Sequence, residues 1–429
     1  MTRTKTSPRA LALDLLSLVL ERDRLLDDVL DDARMAALDE RDRGFVRMLL
    51  ATTLRRLGQL DDLIERCVET PLPGKAQAVR HALRLGACQL LFLGVAPHAA
   101  ISTSVDLLKG TTLAGFAKLV NAVLRRLDRE GAVLVAAQDA ALLNTPEWLW
   151  RSWRQAYGED TTRAIAAAHL VEAPTDLSVA ADAAGWAERL EASILPTGSL
   201  RRPSGGAVSA LPGYDEGAWW VQDAAAALPA RLLGDVGGKR VADLCAAPGG
   251  KALQLAVAGA RVTALDRSGK RLKRLTQNLA RLGLAAEVIE ADAGAWEPAE
   301  PFDAVLLDAP CSATGTLRRH PDVARHKNPA EVTKLAAVQA RLLRAAIAMV
   351  KPGGLLVYCV CSLEPEEGSE QVAKLLAEGA PVTRVPITPA EIGGLAEAIS
   401  PDGDLRTLPC HLAELGGMDA FFATRLQRN

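Results

Sequence analysis

Aromatic residues supply only 4% of this 429-residue chain, so a hydrophobic content of 49% must build its cores from Leu, Val and Ala. Long apolar runs are missing too: no stretch of 18 consecutive apolar residues occurs, and no segment reads as a membrane-spanning helix. The opening MTRTKTSPRALALD lacks the apolar centre of a secretory leader, which makes a cytoplasmic protein the expectation. Charge of one sign is absent in bulk. Fifty basic against 52 acidic residues give a net charge of −2, so any nucleic-acid surface must be a local patch. Six histidines and seven cysteines show no CxxC or HxxxH pairing. That leaves neither a disulfide framework nor a metal site in view, and the odd cysteine count fits a reducing compartment.

What is present is organised around residues 302–319, FDAVLLDAPCSATGTLRR. The run Val305-Leu306-Leu307 reads as a buried strand, and Pro310 stops the ladder just after Asp308. A carboxylate and the Cys311 thiol are thereby delivered to the carboxyl end of a strand, where open α/β sheets bind ligands. A second strand, Leu355 to Cys359, ends alike and presents Cys361. One such cysteine would read as a small core residue. Two at equivalent strand ends read as a site.

At this length about three domains are expected. Residues 1–136 read as helices throughout, with Val79–Leu93 as the central, most apolar one and a basic end at Arg125-Arg126. Residues 131–143 are Ala-rich, and NTPEWLWRSWRQAY (144–157) sets three tryptophans beside arginines, a pattern typical of a packing face. Residues 144–218 read as a small α+β module. From 219 to 429, strands and helices alternate as in a doubly wound, Rossmann-like α/β sheet.

The turn after the first strand of that sheet, Cys245-Ala246-Ala247-Pro248-Gly249-Gly250-Lys251, is neither GxGxxG nor a P-loop. Its glycines permit close approach to the backbone, and the following helix N-terminus favours a carboxylate rather than a diphosphate. Asp266, ending the second strand, suits ribose hydroxyls, and Asp292 suits an adenine edge. A carboxylate-bearing nucleoside without phosphates is S-adenosylmethionine. The basic residues Lys270, Arg271, Arg274 and Arg281 read as the solvent face of a helix whose buried side is Leu272, Leu275 and Leu279.

GACQLLFLGVAPHAAISTSVDL and KLVNAVLRRL resemble the NusB-like RNA-binding domain. DLCAAPGGK, DAPCSATGTLRRHPD and YCVCSLEPEE resemble the signature motifs of the Nol/Nop/Sun family of RNA cytosine-C5 methyltransferases. Together they resemble its Sun-type small-subunit (16S) rRNA enzymes over nearly the full length. The resemblance implies an all-α NusB-like domain, a small α+β RNA-binding module and a class I S-adenosylmethionine-dependent methyltransferase domain. It implies Cys361 as nucleophile and Cys311 as the thiol that assists release. Cys245–Lys251, Asp266, Asp292 and Asp308 are implied to contact the cofactor or base. Arg125, Arg126, Arg318, Arg319 and His320 are the candidate RNA contacts, and the protein is expected to act on RNA as a monomer without metal or membrane. The same chemistry on tRNA or large-subunit rRNA is the alternative substrate, and a non-catalytic antitermination factor the alternative class. The chain departs from the family pattern in three places: Cys359-Val360 replaces Ser-Thr before the nucleophile, Ser178-Val179-Ala180 replaces Arg-Val-Asn, and no tryptophan follows between Val323 and Asn328.

The implied chemistry explains the pair of thiols. Cytosine C5 is too weak a nucleophile to take a methyl group until a thiolate adds at C6. A free thiol is only a few per cent ionised near neutrality, and half-ionising it at pH 7 takes about 2 kcal/mol. A nearby cationic group would supply that, and Lys251 and Arg318 are the candidates.

Overall fold

The computed structural model describes residues 7–429; residues 1–6, the start of the stretch read for a leader, lie outside them. The chain divides into two compact units, one running to Val171 and including Arg319–His326, the other comprising Glu172–Arg318 and Lys327–Asn429.

The first unit is helical. Its central helix, Gln77–Leu91, buries ten residues, among them Val79, Leu83 and Ala87. Close packing depends on a small residue: a Cβ at Gly86 would stand 2.6 Å from the Leu124 side chain. Within this core His81 is almost fully buried. Arg84 Nη1 lies 3.0 Å from His81 Nδ1, and Glu21 lies 3.0 Å from Nε2. Burial first, and Arg84 second, push its pKa down to about 4, so the ring is neutral at physiological pH.

The expected break between 136 and 144 falls inside the first compact unit. Gln138 and Asn144 both bond to Gln59, and a Cβ on Gly58 would lie 1.7 Å from the Leu143 carbonyl oxygen. These contacts hold the helices Ala140–Asn144, Glu147–Tyr157 and Glu159–His169 to the bundle. Trp150 and Trp153 are buried there, Trp153 against His169 with ring centroids 5.4 Å apart. The tryptophan stripe is thus packing inside this unit. Residues 319–326 belong to it as well: the Leu26 backbone N–H donates to Asp322 Oδ2 at 2.9 Å, and His320 Nδ1 lies 3.5 Å from Asp27.

The second unit holds two sheets. The small one is antiparallel, β1 (Thr175–Val179), β2 (Ser193–Ile194), β3 (Leu200–Arg202) and β4 (Trp219–Val221), in the order β2-β3-β1-β4. The large sheet comprises β5 (Arg240–Leu244), β6 (Arg261–Asp266), β7 (Glu287–Glu290), β8 (Phe302–Asp308), β9 (Val350–Val360), β10 (Val382–Arg384), β11 (Leu405–Arg406) and β12 (Phe422–Arg428). Its order is β10-β12-β9-β8-β5-β6-β7, with β11 beside β12. Strands β5 to β9 are parallel and β12 runs antiparallel to β9. Burial on both faces explains why β5, β8 and the end of β9 are almost continuously apolar.

The α+β module does not stand apart from this sheet. Arg201, buried and paired with Asp176, donates through Nη1 to the carbonyls of Leu415 and Gly417, and the Asp223 carboxylate accepts from the Asp419 backbone N–H. The boundary expected at 218/219 therefore falls within one compact unit.

Candidate functional site

Parallel pairing of β8 with β9 sets Asp308 directly beside Cys359. The chain leaves both strands at the same level, and the Ala309 N–H to Cys359 carbonyl bond (3.0 Å) keeps the two exits together. Beyond them the Gly315 N–H donates to the Cys361 carbonyl, also at 3.0 Å. Only glycine fits at 315, because a Cβ there would lie 2.2 Å from the Ala420 carbonyl oxygen. The result is that Cys311 Sγ and Cys361 Sγ stand 3.4 Å apart, both partly buried. Hydrogen bonding to Cys361, then burial, holds the Cys311 thiol well above the ordinary thiol range. Cys311 is consequently a protonated thiol at neutral pH, lying against its neighbour's sulfur.

The acid of this crevice is Asp308. Its Oδ2 accepts from Lys251 Nζ at 2.7 Å and its Oδ1 from the Cys359 thiol at 3.5 Å. Cys359, where a serine was expected, thus acts as a hydrogen-bond donor, and burial raises its pKa far above the thiol range. Lys251 is itself buried, its Nζ lying 4.9 Å from the Phe421 ring centroid. Burial opposes its charge, but Asp308 more than compensates and its pKa is raised. Lys251, a candidate cation for thiol activation, is thus engaged by a carboxylate. Arg318, the other candidate, is buried and donates to the Gly416 carbonyl.

Beside β8 lies the turn from Cys245 to Lys251. Cys245 adopts φ 61° and Gly249 φ 114°, and the helix Gly250–Val257 starts immediately after. Burial pushes the Cys245 thiol up to about 12, so it is a structural thiol. Asp266 is 2% exposed; its carboxylate accepts from the Ala247 and Ser268 backbone N–H groups and pairs with Arg271 at 3.3 Å. Asp292 is more open and pairs with Arg341 at 3.0 Å; the Gly294 N–H and then Arg341 lower its pKa.

Sequence reasoning missed Asp243, a carboxylate in β5 with no exposed surface. Burial, reinforced by Asp308, pushes its pKa up to about 8. The unfolded group titrates near 4, so the folded state holds a proton the unfolded state releases between about pH 4 and 8. The stability from this group is complete below that window and is lost as pH rises through it. Asp243→Asn should therefore gain stability over the native chain at pH 8.5 and not at pH 4, read from denaturant midpoints. An equal offset at both pH values would contradict the assignment.

The candidate RNA residues separate. Arg318 is buried in the second unit, whereas Arg319 and His320 belong to the first, with His320 half-buried and its pKa lowered by burial. Arg125 is exposed, and Arg126 pairs with Glu130 at 2.9 Å on the same helix. No group of three or more His, Cys, Asp or Glu among the described residues is arranged to hold a metal ion, and no described helix is long and apolar enough to cross a membrane.

Residues 230–427 match the family model described as 16S rRNA methyltransferase RsmB/F, and residues 6–129 match the NusB family. The chain is 36% identical over 389 residues to the ribosomal RNA small subunit methyltransferase B of Klebsiella pneumoniae, covering 86% of this chain and 89% of that protein. The protein of the same name from Vibrio vulnificus is 36% identical over 392 residues, covering 86% and 90%. Among solved structures, that of PH0851 aligns with 98% of this chain and 99% of its own at a TM-score of 0.76 and 21% identity, a likeness of fold. A methyltransferase homologue from Pyrococcus horikoshii aligns with 65% of this chain and 94% of its own, at a TM-score of 0.55 and 25% identity.

Proposed function

The chain belongs to the RsmB/F family of RNA methyltransferases, and from that premise we propose that it methylates C5 of a cytosine in small-subunit rRNA through a covalent bond between Cys361 and C6. The observation that carries the covalent reading is the 3.4 Å approach of two thiols beside the Lys251–Asp308 pair. The working compartment is the cytoplasm, where rRNA is available and thiols stay reduced.

S-adenosylmethionine supplies the electrophilic methyl group. The turn fits it on the chain's own terms: Gly249 and Gly250 leave the backbone open, a helix N-terminus suits the amino-acid carboxylate, and Asp266 can accept from ribose hydroxyls. Cys361, as thiolate, adds to C6 of a base flipped into the crevice, and the electron pair moves toward C5. Lys251 and Asp308 hold a proton at N3, so the negative charge that develops on the ring is met by hydrogen bonds already in place. After C5 takes the methyl group, H5 leaves to a base and the S–C6 bond breaks. Cys311, a protonated thiol beside the departing sulfur, is placed as a relay: it gives its proton to the leaving Cys361 sulfur and receives the H5 proton in its place.

Two experiments test this. Purified protein with S-adenosylmethionine and 16S rRNA, followed by bisulfite sequencing, should yield one or more protected cytosines; protection confined to tRNA or 23S rRNA would redirect the substrate. Asp266→Ala should weaken S-adenosylmethionine binding by about 1.5–3 kcal/mol, as for loss of hydrogen bonds to a charged group. Titration calorimetry giving unchanged affinity would remove Asp266 from the cofactor site.

A further inference from the structure

The two thiols sit on separate loops 50 positions apart, yet each is followed by a serine, Cys311-Ser312 and Cys361-Ser362. Both serines turn inward to one carboxylate. The Ser312 backbone N–H donates to Glu367 Oε1 at 2.9 Å and to Oε2 at 3.2 Å, and the Ser312 hydroxyl donates to Oε2 as well. The Ser362 hydroxyl donates to the same oxygen at 2.6 Å. Gln339, from the helix Pro329–Met349, donates through Nε2 to Oε1 at 3.0 Å and to the Pro310 carbonyl at 2.9 Å. The Tyr358 hydroxyl holds the Glu367 carbonyl.

We propose that Glu367 is a positioning residue that sets the separation of Cys311 and Cys361, a role that rests on the covalent two-thiol reading above. Glu367 has no exposed surface, so it touches neither RNA nor cofactor and acts only through the loops it binds. Burying a carboxylate is costly, and packed apolar side chains would join two loops at least as stably. What they would not do is fix both serines to the same oxygen atom. That shared acceptor ties the neighbouring Cα atoms of both cysteines to one point, and the chemistry needs them there. A displacement of about 1 Å in a reacting group can cost about 100-fold in rate.

The test uses the full-length chain as Glu367→Gln and Ser312→Ala. Glutamine keeps the shape but turns an amide toward hydroxyls that must donate. Single-turnover methylation is measured on a 16S rRNA transcript, with adduct formation followed on a transcript containing 5-fluorocytidine, whose C5 fluorine cannot leave. Glu367→Gln should lower the rate about 100-fold and Ser312→Ala about tenfold, each slowing adduct formation or resolution, with KM for RNA and affinity for S-adenosylmethionine within about twofold of native. If Glu367→Gln does not fold, Ser312→Ala decides by the same readouts. Rates within twofold of native in the folded variants, while the native protein traps normally, overturn the proposal alone. A loss of cofactor affinity as large as the loss of rate assigns Glu367 a merely structural role and overturns it too. No adduct from the native protein overturns the covalent reading and this proposal with it.

Discussion

Cys361→Ala protein will transfer no measurable methyl group and form no adduct, whereas Cys311→Ala protein will accumulate a complex with RNA that survives denaturing electrophoresis. The asymmetry follows from what each sulfur does. Only Cys361 bonds to the ring, so its removal leaves C5 unactivated and should cost at least about 10⁴-fold, the scale for losing an essential nucleophile. Cys311 is held protonated by its bond to Cys361 and by burial, which suits proton transfer and not attack. Without it, addition and methyl transfer still proceed, but the relay that carries H5 away and protonates the leaving sulfur is lost. Turnover should fall by about 10²–10⁴, the usual contribution of a positioned acid or base, and the bonded state should become the dominant species. Adducts formed by Cys361→Ala alone would reverse the two roles.

Lys251→Met should have the second-largest effect, and in two currencies. Lys251 is buried against Asp308 at 2.7 Å, with Asp243 contributing to the same field. Removing the ammonium that pairs with Asp308 leaves that carboxylate's charge uncompensated, which costs about 3 kcal/mol even when the partial exposure of Asp308 is allowed for. The rate should fall further than the stability, by about 10²–10⁴, because the proton delivered toward N3 comes from this pair. Lys251→Arg should recover stability better than rate, since a planar guanidinium does not present its protons as an ammonium does. Thermal melts and single-turnover rates separate the two. A variant that melts lower yet methylates at the native rate would confine Lys251 to packing.

These residues show how far the sequence could be read. Asp308, Cys311 and Cys361 were legible because both strands end in a recognisable way, and parallel register then puts the ends at one level. The parallel sheet followed from the alternation of apolar runs and amphipathic helices for the same reason: local patterns fix local elements. Lys251 was legible as part of the cofactor turn but misjudged in its partner, because the carboxylate that engages it lies 57 positions away. Arg318 sits in a doublet that reads as solvated charge, and only the 416–417 turn, brought close by folding, makes it a buried donor. Asp243 looked like any acid near a strand end, and nothing local reveals how completely folding buries it. Glu367 was hidden inside an acidic run, LEPEE, of the kind usually found on a surface; the repeated Cys-Ser dipeptide was the available hint. The compact unit runs past the stretch whose composition suggests a linker, because side-chain bonds such as Gln138 to Gln59 cross it.

The central claim is that Cys361 becomes covalently attached to the RNA base. It is tested most directly by trapping the native protein on a 16S rRNA transcript containing 5-fluorocytidine, digesting both chains, and locating the nucleotide by tandem mass spectrometry. The account predicts a methylated nucleotide adduct on the peptide that carries Cys361 and none on the peptide that carries Cys311. Attachment at Cys311, or complete methylation of unmodified rRNA with no trapped species from the fluorinated transcript, would contradict it.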